Sequence, residues 1–153
     1  MASDSIETMM QDYAEAAVEA ARAMNIALDY SEQSLRQVEQ VLARLAEELH
    51  DWKIARSASA AVAGPSDDQM SDMCRLWGSY FGEVVRRRWG GEWSIETYPG
   101  SSFATLALTV SAGKLFPSMK VFRRLTEGEG DNLWRFYQTV RERLEATPGA
   151  AVQ

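Results

Sequence analysis

The sequence predicts an α+β domain: three N-terminal helices, a three-stranded antiparallel meander and a C-terminal helix. Two observations predict it. Apolar residues recur every three or four positions through residues 6–84 and again after residue 131, whereas residues 92–125 switch to alternation with short turns between the runs. Helices segregated from closely spaced strands give an α+β layout with an antiparallel sheet. The chain has 153 residues, 46% of them hydrophobic, enough for one full core, so residues 1–153 read as a single domain.

The first helix is expected from about Ile6 to Met24. Asp4 and Glu7 have capping-box spacing, and Ile6, Met9, Met10, Tyr13, Ala17, Ala21 and Met24 share one face. The stretch NIALD interrupts it. The second helix is expected to start with Ser31 as N-cap, Tyr30 and Leu35 being spaced as a hydrophobic staple. Leu35, Val38, Leu42, Leu45, Leu49 and Trp52 alternate steps of three and four, a short seam suited to an intramolecular helix pair. Residues 56–66, RSASAAVAGPS, read as a flexible loop inside the domain.

The third helix should begin near Ser66, with Gln69 completing a capping box. It carries the stripe Met70, Met73, Cys74, Trp77, Tyr80, Phe81 and Val84, and Gly90-Gly91 ends it. In EWSIETY, Trp93, Ile95 and Thr97 fall on one side. After a Pro99-Gly100 turn, Ala104, Leu106, Leu108 and Val110 of FATLALTV do the same. KLFPSMKVFRRL reads as a third strand, in which Pro117 forces an edge position, a bulge or a late start. TEGEGD is a loop, and Asp131 is expected to cap a last helix through Leu144, buried along Leu133, Phe136, Tyr137, Val140 and Leu144. The third and last helices are expected to cover one sheet face, and the tail from about residue 146 is expected to fray.

Composition narrows the function. Cys74 and His50 are the only cysteine and histidine, which removes an internal disulfide, the usual zinc sites and a Ser-His-Asp triad. No P-loop, dinucleotide fingerprint or nucleophile elbow occurs. No catalytic set, metal or cofactor is assigned. The N-terminus is acidic and lacks the regions of a signal peptide, and no long apolar run is present, so a cytoplasmic protein with no membrane contact is expected. The net charge of −6 is uneven: residues 1–83 carry 6 Lys/Arg against 15 Asp/Glu, while residues 84–125 carry 7 against 2. Overall acidity argues against general nucleic-acid binding.

Two sites follow. Gly78 and Gly82 each cost about 1 kcal/mol against alanine inside a helix, and so mark either close backbone packing or a groove. Glu83 is expected to pair with Arg87 one turn on. Arg86, Arg87 and Arg88 suit the negative end of the helix dipole or an acidic ligand. Lys120 and Arg124 could join them, which gives a candidate ligand site of Tyr80, Glu83, Arg86, Arg87, Lys120 and Arg124. The other site is an acidic helical surface through Glu39, Glu47 and Glu48, suited to a basic protein partner. The leading expectation is a non-catalytic protein-binding module (an adaptor, immunity-type inhibitor or chaperone), monomeric or homodimeric. The alternative is a small-ligand-binding protein or enzyme with its pocket near Gly78, Gly82, Glu83 and the Arg86–Arg88 cluster.

The runs LDYSEQSL, GSYFGEVVRRRWGGEW and FPSMKVFRRLTEGEGDNLWRFY, within residues 26–140, resemble a group of small uncharacterised bacterial proteins. The shared pattern is a G-x-Y-x-G-E helix, a glycine pair with Trp, an F-P-x-x-K-V strand and a G-x-x-D helix start. It falls here on Gly78, Tyr80, Gly82, Glu83, Gly91, Trp93, Pro117, Lys120, Arg124 and Asp131. The resemblance implies one domain and a bacterial cytoplasmic setting, and carries no mechanism.

Overall fold

A computed structural model describes residues 2–59 and 61–146 of the chain. It is an α+β structure of five helices and one three-stranded antiparallel sheet. Helix α1 (Ala2–Ala23) starts before the expected point, so position 4 lies inside it and past the N-cap position. Asn25 ends it in the left-handed region (φ 63°), with Ile26 N donating back to Ala21 O at 2.9 Å. Helix α2 (Ser34–Ala58) is entered through a turn that Ser31 caps, its hydroxyl accepting from Ser34 N at 3.2 Å. Its first half is buried through Leu35, Val38, Val41 and Leu42, and its second half runs outward over half-buried Leu45 and Leu49. The expected loop is shorter by this helix's last residues. Its Gly64 lies against the Trp52 indole, and Val62 O accepts from Arg56 Nη1 at 3.0 Å.

Helix α3 (Asp67–Trp89) begins at the Ser66–Gln69 capping box and stops at Gly90 (φ 79°), as the sequence predicts. Cys74, Trp77, Tyr80, Phe81 and Val84 lie in its buried stripe. Strands β1 (Glu92–Thr97), β2 (Ala104–Val110) and β3 (Gly113–Leu115) follow in the order β1-β2-β3. Trp93 stands opposite Leu108, Ile95 opposite Leu106 and Thr97 opposite Ala104, so these six share one sheet face.

The long third strand is not formed. β3 stops at Leu115, and Pro117–Glu127 is helix α4. Pro117 opens this helix at a first-turn position, where its missing N–H costs no bond, and Val121 and Leu125 bury one face a turn apart. A short 3₁₀ turn (Glu129–Asp131) leads to α5 (Leu133–Glu145). The N-cap of α5 is Asn132, whose side chain accepts from Arg135 N at 3.0 Å, and not Asp131. The sheet is covered by α1, α3 and α4, while α5 packs mainly on α2, so the last helix is not the sheet's cover. The fraying expected from about residue 146 falls on residues 147–153, outside the described residues. Among the described residues, no helix is long and apolar enough to cross a membrane.

Candidate functional site

The covered sheet face is sealed at one end only. At that end the Trp93 indole lies across Gly82 so closely that a Cβ there would come within 2.1 Å of the ring. Gly78 accepts the start of α4, and a Cβ there would sit 2.7 Å from Ser118 Cα and N. Both glycines therefore serve close packing, α3 on β1 and α3 on α4.

The ligand-site residues expected beside them are used internally. Glu83 is fully buried. Its carboxylate accepts from Arg86 Nε and Nη2 at 2.7 and 2.9 Å and from Trp93 Nε1 at 2.9 Å, with Arg87 Nε at 3.8 Å. The main partner is thus Arg86, not the expected Arg87. Burial pushes the Glu83 carboxyl upward, but these hydrogen bonds and the two guanidinium charges outweigh it and hold the carboxyl below its ordinary value. Arg86 also reaches Glu7 at 3.2 Å, Arg87 lies 3.5 Å from the centre of the Tyr30 ring, and Arg88 is 3.5 Å from Glu32. The Tyr80 hydroxyl accepts from Tyr30 N at 2.8 Å and bonds Ser34 Oγ at 2.6 Å, holding the α1–α2 connection to α3. Lys120 pairs with Asp131 at 3.0 Å, away from the arginine cluster.

Arg124 belongs to a different centre. It is buried and makes three hydrogen bonds of 2.9–3.1 Å to Glu39, plus one of 3.1 Å to Glu129. Glu39 Oε1 also accepts from Leu133 N at 2.8 Å, at the start of α5. Glu39, expected on an exposed acidic surface, is therefore a buried tie among α2, α4 and α5. Burying that carboxylate is possible because a bidentate guanidinium and a helix N-terminus both meet it. Glu47 and Glu48 are exposed on the outer half of α2, as expected.

The open end of the sheet face forms an apolar groove, and a second hollow, of about 340 Å³, lies between the β2–β3 turn and α5, lined by Val110, Leu115, Phe136, Val140 and Leu144. The groove has a volume of about 510 Å³. Ile95, Ala104 and Leu106 floor it, Met9 of α1 and Met70 and Cys74 of α3 wall one side, and Met119 and Phe122 of α4 wall the other. Ile95 is 58% exposed, Phe122 40% and Met9 38%. Met9, Ile95 and Phe122 are three of the five large hydrophobic residues exposed in the described part of the chain, so much of the exposed apolar surface lies at this place. Asp67 and Arg75 stand at the α3 rim. Ser118 is 9% exposed at the floor, its hydroxyl buried with no hydrogen-bond partner. Burial pushes the Cys74 thiol up to about 11, so it stays protonated and acts as an apolar wall.

Sequence reasoning placed Ile95 and Leu106 on one face but missed the groove. Both read as core, because alternation marks a side of the sheet and not what covers it. The sheet-facing methionines gave the only local signal. No family model matches the chain, and neither does any curated protein or solved structure.

Proposed function

We propose that this chain is a non-catalytic protein-binding module of the adaptor, immunity-inhibitor or chaperone kind, and that the methionine-walled groove is its docking site. The observation that carries this reading is the gathering of exposed Met9, Ile95 and Phe122 around one hollow. Exposed apolar surface is costly to a lone soluble domain and is typical of a surface that a partner covers. Side chains from three separate elements stand out of the hollow into solvent, a footprint suited to a macromolecule. Nothing at the groove resembles an acid–base pair: its thiol is held protonated, and the buried carboxylate Glu83 is already fully engaged elsewhere.

Photo-cross-linking tests the placement. A photoreactive phenylalanine analogue at position 95, and separately at position 48, is carried by the full chain in its host. The groove reading expects partner adducts from position 95 and few from position 48. Adducts from position 48 alone would return the site to the acidic surface of α2.

A small-ligand-binding protein is the second reading, favoured by the unpartnered Ser118 hydroxyl at the groove floor. Mass spectrometry of protein purified without denaturation would then show a stoichiometric apolar compound that Ile95→Gln/Phe122→Gln fails to retain.

A further inference from the structure

We infer that the occupant of the groove is a cationic amphipathic helix of a partner protein that carries one short polar side chain within its apolar face. This rests on the groove being the docking site, and adds the chemistry of what docks.

Three features specify the occupant. The first is the floor. Ile95, Ala104 and Leu106 project from the face of the sheet, not from the hydrogen-bonding edge of β1. A helix satisfies its own backbone and needs to offer only side chains to such a floor, whereas an extended segment would need an edge to pair with. Methionines from three different helices wall the groove, and their unbranched, polarisable side chains adapt to a helix face.

The second feature is the charge of the α3 rim. Asp67 lines the groove, Asp68 follows it, and Asp72 stands a turn further on, 72% exposed. Arg75 alone opposes these three aspartates, and it is already engaged, by the Tyr13 hydroxyl at 3.0 Å and by Asp72 at 3.9 Å. The helix dipole accounts for Asp67 and Asp68 in the first turn, but its influence fades beyond that turn and leaves Asp72 without that reason. On the α4 rim, Arg123 turns away to Asp131 at 3.4 Å, so no cation there offsets the acidic side. Lysines or arginines flanking the occupant's apolar face would meet this rim.

The third feature is Ser118. Its enclosed hydroxyl has neither donor nor acceptor partner at the floor. A buried hydroxyl left unpaired destabilises the free protein, and a Ser, Thr, Asn or Gln side chain on the occupant would satisfy it once docking parts the side chains that enclose it.

The test uses two synthetic amphipathic helices of about 18 residues. They share a Leu/Met face with one central Asn, and carry either Lys or Glu at every polar position. Fluorescence anisotropy follows each against the full-length protein. The Lys peptide is expected to bind, with the Glu peptide at least about tenfold weaker. Asp67→Asn/Asp68→Asn/Asp72→Asn should weaken the Lys peptide about tenfold and flatten its salt dependence. The charge-neutral change Ile95→Gln/Phe122→Gln should abolish binding. A third peptide, the Lys form with Leu in place of the central Asn, should bind more weakly than the Asn form to the wild type, and Ser118→Ala should remove that difference. Thermal melts confirm that each variant folds.

Equal binding of both peptides, lost in the Ile95/Phe122 variant, would overturn the cationic occupant and leave the groove as the docking site. Lys-peptide binding that survives that variant would be general attraction to an acidic protein, and would overturn both. Binding of neither peptide would also overturn the inference.

Discussion

Trp93 and Ile95 lie two residues apart on β1 and face the same side of the sheet, yet Trp93 is 3% exposed and Ile95 58%. Their cross-strand partners differ in the same direction, Leu108 being buried and Leu106 half-buried. What separates the two ends is the distance of the cover. At the Trp93 end, Gly82 lets α3 settle onto the indole, and the Glu83 carboxylate holds the indole N–H in place. At the Ile95 end, the helices stand apart and present methionines. One end of the face thus behaves as core and the other as interface, within a single alternating strand.

The contrast breaks most sharply at Glu83. Glu83→Gln weakens the charge-assisted bonds from half-buried Arg86 and should destabilise the fold by about 1.5–3 kcal/mol, read by urea or thermal unfolding. The stability difference between wild type and this variant should also depend on pH. The folded carboxyl is held below its ordinary value, so its contribution is complete above the ordinary carboxylate range. It fades as pH falls through the lowered folded value. A difference that grows on acidification would refute the assignment.

Gly82→Ala and Gly78→Ala should each cost about 1–3 kcal/mol, because the new methyl meets a pinned indole in one case and the α4 backbone in the other. Ser118→Ala works in the opposite direction and should raise stability by up to about 1 kcal/mol, since it removes an unpaired buried hydroxyl. An unchanged or lowered melt would mean that Ser118 has a partner within the free protein. At the open end, Ile95→Gln and Phe122→Gln should each shift stability by less than about 0.5 kcal/mol while removing partner binding. The smallest effect is expected from Glu47→Lys/Glu48→Lys, near-silent in the melt and weak in binding. A large loss of binding there would move the site to the outer half of α2.

The sealed end was legible in the sequence. Two glycines a turn apart, Glu83 between them and the arginines, and a following Gly-Gly-Glu-Trp marked a helix that approaches something closely. The Ser66–Gln69 box fixed where that helix begins. Helix α4 was not legible as read, because Met119 and Val121 flank Lys120 as in a strand while Val121 and Leu125 follow a helical step. Pro117 at a first-turn position was the signal that separates the two. Glu39 looked solvated because its neighbours on the seam say nothing of Arg124, 85 residues away. Beyond its methionines the groove had no local signature, since Ile95 is exposed only through the placement of α1, α3 and α4.

The Glu39 tie also bears on the order in which the chain can fold. It joins residues separated by 85 positions to Arg124 and by 94 to Leu133. Closing so large a loop is entropically slow to be rewarded, whereas α3 and the β1–β2 hairpin that follows it can meet through near neighbours. The Glu83–Trp93 contact spans only 10 positions. Folding should therefore nucleate around α3 and β1, with α2 locked onto α4 and α5 after the rate-limiting step. Truncating Glu39 would then act mainly by speeding unfolding, and changes at Gly82 mainly by slowing folding, a division that the two arms of a chevron plot record separately.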